Sequence, residues 1–206
     1  MGFTRAELEA FRDHEVGDLV GPGLRLLFVG INPGLWTAAV GTHFAHPTNR
    51  FYPALAVAGI TDYEVDRVTG MTAADRAHLV ARGVGITNLV RRATARASEL
   101  SREELREGGE RLQGFVADHR PAVVAIAGIS AYREAFGERG AALGRQPETL
   151  DSAIHWSGAA LWVVPNPSGL NAHETVATLA AAYAAPAAEA GVIGQRPIWL
   201  PSPGDA

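Results

Sequence analysis

At 206 residues, 47% of them hydrophobic and with a formal net charge of −4, the chain is long enough for one domain with a sizeable core. It has no cysteine, which excludes disulfides, thiolate-bound zinc and iron–sulfur clusters, and its seven histidines show no metal-ligand spacing. No run approaches the ~18 consecutive apolar residues of a membrane helix, and the acidic, amphipathic opening MGFTRAELEAFRDHE is unlike a signal peptide, so the expected location is the cytoplasm.

The negative charge is unevenly placed. Glu7, Glu9, Asp13, Glu15 and Asp18 against Arg5 and Arg12 give the first 20 residues −3 of the total −4, leaving −1 for the rest. All 18 basic residues are arginine, the side chain whose planar fork suits phosphate, although an alanine- and arginine-rich genomic composition accounts for most of the missing lysine. A polyanionic partner is therefore compatible with the charge.

In chain order, Thr4-Arg5-Ala6-Glu7 fits a capping box that opens a short helix with Leu8 and Phe11 on its apolar side. Residues 1–20 read as an acidic N-terminal arm, broken by Gly21-Pro22-Gly23. The next stretch, LRLLFVGINPG from Leu24 to Gly34, organises the chain: an apolar strand over 24–29 runs into a shaped loop. Proline disfavours the α region for the residue before it, so no helix continues through Asn32-Pro33. In an open α/β sheet the loop leaving the carboxyl end of a strand is where ligands bind, which makes Asn32 the candidate for chemistry.

Residues 35–46 read as a long loop with Phe44 and His46, followed by a helix starting around 47–49 that carries Phe51, Leu55 and Val57 inward. Thr72-x-x-Asp75 opens a helix over 71–82, and GVGITNLV gives a strand over 84–87 and a turn. Between Arg82 and Ala97 there is no acidic residue, so Arg91, Arg92 and Arg96 suggest a local basic face. Ser101-x-x-Glu104 is a further capping box, with Leu105, Leu112 and Val116 keeping helical spacing to His119. Residues 122–127 read as a strand buried on both faces, 130–136 as a short helix and 139–146 as a glycine-rich surface loop. A strand over 160–164 then runs into Asn166-Pro167-Ser168-Gly169-Leu170, repeating the logic of the opening stretch. The helix after it, over 173–184, carries Val176, Leu179 and Tyr183, and residues 186–206 read as a proline-rich tail, either an extended strap with Ile198, Trp199 and Leu200 docked on the body or a partly disordered segment.

Strands alternating with helices predict an α/β class with a mainly parallel central sheet, without internal repeats or a second domain. No GxGxxG follows the first strand, no GKS or GKT occurs, and PSGL is not a GxSxG nucleophile elbow.

The paired loops GINPG and NPSGL resemble the motifs of the mismatch-specific uracil-DNA and thymine-DNA glycosylases, within the uracil-DNA glycosylase superfamily. FAHPTNRFY, GITNLVRRAT, ELSREELREGG, IAGISAY and RGAALGRQ are similar to that family's intervening blocks, in order, and extend the resemblance over about residues 20–184. It implies a three-layer αβα sandwich, with residues 21–185 as the glycosylase domain. The implied activity is monofunctional: a mismatched uracil, or thymine or another damaged pyrimidine, is flipped out of a G·U or G·T duplex and its N-glycosidic bond is hydrolysed. Asn32 falls on the catalytic asparagine that positions water; an amide is too weak to act as a general base, so leaving-group stabilisation carries much of the rate. Backbone N–H groups near Ile31 and Phe44 match donors to the departing base. Phe44 matches the ring on which the flipped base stacks, and Ile31, Gly34, Thr37 and Asn88 fall on the base pocket, Thr37 as a further water contact. Asn166, Pro167, Ser168, Gly169 and Leu170 match the loop that enters the duplex, with Leu170 as the wedge, Gly169 giving access to the orphaned guanine and Ser168 facing phosphate. Arg91 is a further candidate DNA contact. Family members commonly carry an arginine two residues after the wedge leucine, where this chain has Ala172. The resemblance implies a monomer acting on double-stranded DNA, nucleoid-associated in the cytoplasm, without metal or cofactor. The alternatives are a non-catalytic binder of mispaired DNA and, more remotely, an α/β hydrolase or transferase on free nucleotides, which would need a phosphate loop that the sequence lacks.

Overall fold

The computed structural model describes residues 2–147 and 155–194. Five strands form one sheet: Leu26–Gly30 (β1), Val84–Asn88 (β2), Val123–Ala127 (β3), Gly144–Arg145 (β4) and Ala160–Val164 (β5). Their order is β2-β1-β3-β5-β4, and every neighbour is parallel except the short β4, which runs antiparallel to β5. Among the described residues seven α-helices accompany them: Arg5–Glu9 (α1), Leu35–Val40 (α2), Phe51–Val57 (α3), Ala73–Ala81 (α4), Arg102–His119 (α5), Ile129–Phe136 (α6) and Val176–Glu189 (α7).

Strand periodicity sorts the core into two layers. Along β1, Leu26 and Phe28 point to a face covered by α3, α4 and α7, while Leu27 and Val29 point to the face covered by α5 and α6. β3 repeats the division, with Val123, Ala125 and Ala127 on the first face and Val124 and Ile126 on the second. The α/β class with helices on both faces is as the sequence predicts, since continuous apolar runs are what a doubly covered parallel sheet requires. Helix starts follow their caps: Thr4, Thr72 and Ser101 each accept the N–H of the third helical residue, completing the predicted capping boxes.

Several local expectations need correction. Residues 35–40 form α2 rather than loop; its N-cap, Gly34, offers no side-chain oxygen, so the usual start signal is missing. Val57 is 65% exposed, because six residues beyond Phe51 a helix has turned to its opposite face. Part of the glycine-rich 139–146 segment is a strand, β4, whose two residues are too short to leave a pattern. α7 continues through Pro186 to Glu189, past the expected helix end at Ala184 and the expected start of the tail, because Pro186, Ala187 and Ala190 are buried against the body. Residues 198–200 of the expected strap lie outside the described residues. At the front of the chain, Leu19 bridges Ile86 and Glu15 bridges Arg92, so residues 15–19 lie along the β2 edge, with Val16 and Leu19 buried.

α5 reaches the carboxyl end of β2 through a glycine. A Cβ at Gly108 would lie 2.3 Å from the Leu89 carbonyl oxygen, whereas one at Gly114 of the same helix meets nothing within 4 Å. Gly114→Ala is therefore expected to raise stability by up to about 1 kcal/mol through helix propensity. Gly108→Ala is expected to lower it by about 1–3 kcal/mol through overpacking against backbone. Urea denaturation of both variants checks the opposite signs.

Candidate active site

The carboxyl ends of β1, β2, β3 and β5 converge on one edge of the sheet, and the two Asn-Pro loops leave from β1 and β5. β1 has β2 on one side and β3 on the other, so the chain winds in both directions from it, the arrangement that opens a ligand crevice. Gly128, just after β3, joins the two loops: its φ is +124° and a Cβ there would sit 3.4 Å from Ile31 Cδ1 and 3.7 Å from Asn166 Nδ2.

Asn32 is held by its amide nitrogen. Nδ2 lies 2.7 Å from Thr94 Oγ1, 3.1 Å from the Arg92 carbonyl and 3.1 Å from the Pro33 carbonyl. Thr94 Oγ1 donates its own proton to the Arg96 carbonyl at 2.9 Å, so toward Asn32 it can only accept. Three acceptors around one NH2 group fix the amide's orientation without ambiguity between O and N. Asn32 Oδ1 is thereby turned away from them and has no hydrogen-bond partner among the described residues. The segment that supplies these acceptors is itself anchored, because the Arg92 guanidinium bonds Glu104 at 2.5 and 3.2 Å and Asp13 at 3.0 Å. That guanidinium holds the Glu104 carboxyl down at about 2.

Beside Asn32, Gly30 ends β1 in a space that admits no side chain: a Cβ would meet Asn88 Oδ1 at 2.3 Å and the Phe44 ring at 3.2 Å. Phe44 takes a left-handed conformation, φ +57°, which a non-glycine residue adopts at a cost, and its half-buried ring stacks on Phe51 with centroids 4.0 Å apart. Asn88 is oriented in turn by His43. The Gly17 carbonyl, 3.0 Å from His43 Nε2, can only accept, so Nε2 carries the proton and Nδ1 accepts from Asn88 Nδ2 at 2.9 Å. Asn88 therefore shows its oxygen to Gly30 and Phe44. The result is a strand end packed by an aromatic ring, with two amides of fixed orientation beside it.

Across the crevice lies the second loop. Asn166 Oδ1 accepts from Ser168 N at 2.9 Å, Asn171 N donates to Ser168 O at 2.9 Å, and Leu170 N donates to Ser168 Oγ at 3.3 Å. This tight turn buries Pro167 and leaves Leu170 91% exposed, the most exposed large apolar side chain among the described residues.

The sequence profile of the uracil DNA glycosylase superfamily matches residues 18–187. The chain belongs to that superfamily. Membership points to DNA glycosylase activity, the hydrolysis of an N-glycosyl bond in DNA repair.

Among the residues singled out from sequence, the fold brings Ile31, Asn32, Phe44 and Asn88 together at the end of β1 and sets Asn166 to Leu170 opposite them. Gly34 caps α2, its carbonyl accepting from Ala38 N at 3.0 Å. Thr37 is buried and donates to the Ala45 carbonyl at 3.1 Å, so its proton holds the Phe44 loop. The basic face expected over 82–97 is not assembled. Arg91 lies 3.4 Å from Glu15 and 3.9 Å from Asp18, Arg92 pairs with Asp13 and Glu104, and Arg82 with Asp62. A stretch that lacks acid in sequence acquires it in space, largely from the N-terminal segment. Thr94 and His43, which orient the two amides, carry no local signal that would single them out; only the long-range contacts reveal them.

The protein should therefore show a specific pH dependence of stability. Burial pushes the His43 pKa below its ordinary 6.5, against the opposing pull of the Gly17 carbonyl and Asp18, with Arg76 and Arg91 adding to the depression. Below about pH 6.5 the unfolded chain takes up a proton that the folded chain refuses, so stability present above that pH falls as pH drops. His43→Gln is expected to flatten the decline of the urea midpoint between pH 7.5 and 5; an unchanged slope would place the linkage at His46, whose pKa burial also lowers. Glu104 contributes only in a separate, lower window, from its ordinary 4.5 down to about 2.

Proposed function

We propose that this chain is a monofunctional glycosylase of the mismatch-specific type, acting on uracil opposite guanine in double-stranded DNA, with residues 21–185 as its catalytic unit. The observation that carries the reading is the orientation of Asn32: its amide nitrogen is fully engaged, leaving Oδ1 to accept a hydrogen bond from one water at the end of β1. A base within the stack hides its C1′ carbon, so the nucleotide must first be flipped, at a cost that is smaller in a mismatch. The flipped base stacks on Phe44 and meets the oxygen of Asn88, which suits a pyrimidine carrying an N3–H. As the C1′–N1 bond breaks, its electron pair leaves on the base, the sugar gains oxocarbenium character, and the water held by Asn32 adds to C1′. The water's proton is lost late, because an amide is no base; N–H groups near Ile31 and Phe44 stabilise the departing anion. The products are free uracil and an abasic site.

Leu170 fits the gap left in the stack, where an apolar wedge offsets part of the unstacking cost. Ser168 keeps a hydroxyl proton for phosphate, since its Oγ accepts from Leu170 N.

The test uses end-labelled duplexes carrying G·U, G·T or A·U, and single-stranded uracil, with abasic sites cleaved by alkali. Cleavage is expected at G·U, unaffected by excess EDTA, and reduced at least about 10²-fold in Asn32→Ala. Leu170→Ala is expected to lose roughly tenfold on paired substrates and least on single strands, where there is no stack to fill. Absence of product on every substrate, with binding retained, would leave a non-catalytic mismatch binder instead.

A further inference from the structure

Arg50, the residue before α3, sends its guanidinium beneath the 166–174 loop. Its Nη2 donates to the Ser168 carbonyl at 2.5 Å and the Asn171 carbonyl at 2.7 Å, and its Nη1 to the Glu174 carbonyl. The Arg50 backbone N–H donates to Pro167 O at 3.0 Å. Its buried Nε–H has no acceptor among the described residues, so the whole grip lies in the two terminal nitrogens.

A second contact comes from the same side. Gly169 sits so close to Thr48 that a Cβ would lie 2.3 Å from Thr48 Oγ1 and 2.9 Å from its carbonyl oxygen. On the other side of Arg50, Phe51 is the ring against which Phe44 stacks. One short segment, residues 44–51, therefore carries the base-stacking ring at one end and holds the wedge loop at the other.

We infer that Arg50 is a positioning residue that locks the wedge loop to the base-pocket segment, so that Leu170 enters the duplex in register with the flipped base. The inference rests on the glycosylase reading above. The loop's own hydrogen bonds set its shape but not its placement; among the described residues, those tying Ser168 and Asn171 to the rest of the body come from Arg50. A wedge must push against stacked bases, and a loop free to recoil would yield instead of transmitting the push. Only a planar fork offers parallel donors to several carbonyls at once, so lysine is a poor substitute.

The chain has no cysteine, so Leu170→Cys gives a unique site for a nitroxide spin label, with Val57→Cys on α3 as the control. In the Arg50→Lys and Arg50→Met backgrounds the label at 170 is expected to gain mobility while the label at 57 does not. In parallel, single-turnover cleavage is measured without the label on uracil paired with guanine and on the same uracil opposite an abasic-site analogue. Arg50→Met is expected to lose about 10- to 100-fold on the pair and less than about threefold opposite the gap, with Arg50→Lys between it and the wild type on the pair. Arg50→Lys keeps the charge and decides the matter where the methionine variant does not fold. Equal losses on both substrates, or unchanged mobility at 170, would overturn the positioning role while leaving the glycosylase reading intact. Absence of wild-type cleavage on either substrate would overturn the glycosylase reading and this inference with it.

Discussion

An asparagine side chain has two ends of similar shape and opposite hydrogen-bonding character, and the chemistry proposed for this chain depends on which end faces the crevice. The choice is made by Thr94, whose hydroxyl proton is committed to the Arg96 carbonyl and which can therefore only accept from Asn32. The Pro33 and Arg92 carbonyls complete a set of acceptors that an amide oxygen could not tolerate. Behind them stands the ion pair of Arg92 with Glu104, which pins the segment from the first turn of α5. A free-energy contribution that is modest for a surface pair gains its importance here from what the pair positions.

The same device is used twice. His43, its tautomer fixed by the Gly17 carbonyl, turns Asn88 so that its oxygen lies over Gly30, and glycine at the end of β1 leaves the room for it. Both oriented amides sit at the carboxyl ends of adjacent parallel strands, so their spacing is set by backbone hydrogen bonds between β1 and β2 rather than by flexible loop. A rigid scaffold with fixed dipoles costs little reorganisation when charge develops, and an enzyme without a true general base has most need of that. The exposed Leu170 opposite supplies the other half of the architecture, an apolar group in water on a loop held from beneath by Arg50.

Much of the frame was legible in the sequence because it rests on local rules. Apolar runs bounded by glycine and proline marked β1, β2, β3 and β5, and the Thr72 and Ser101 capping boxes marked the starts of α4 and α5. The paired Asn-Pro loops pointed to both sides of the crevice. What remained hidden depends on distance or on weak local signals. α2 begins at a glycine without a side-chain cap, β4 is two residues of an edge strand, and Pro186 reads as a helix end although burial carries α7 past it. The acids that meet Arg91 and Arg92 come from residues 13–18 and from Glu104, so composition along the chain misstates the charge in space. Thr94, His43 and Arg50 act through partners 26 to 124 positions away, beyond any motif.

The central claim is that water held by the Asn32 oxygen, and no enzyme nucleophile, completes the break at C1′. It is tested most directly by mixing excess protein with a G·U duplex carrying isotope-labelled uracil, with and without borohydride, and quantifying the free base and any protein–DNA adduct that survives denaturation. The account predicts stoichiometric release of intact uracil with no trapped adduct. An adduct under either condition, or bound duplex from which no uracil is released, would contradict it.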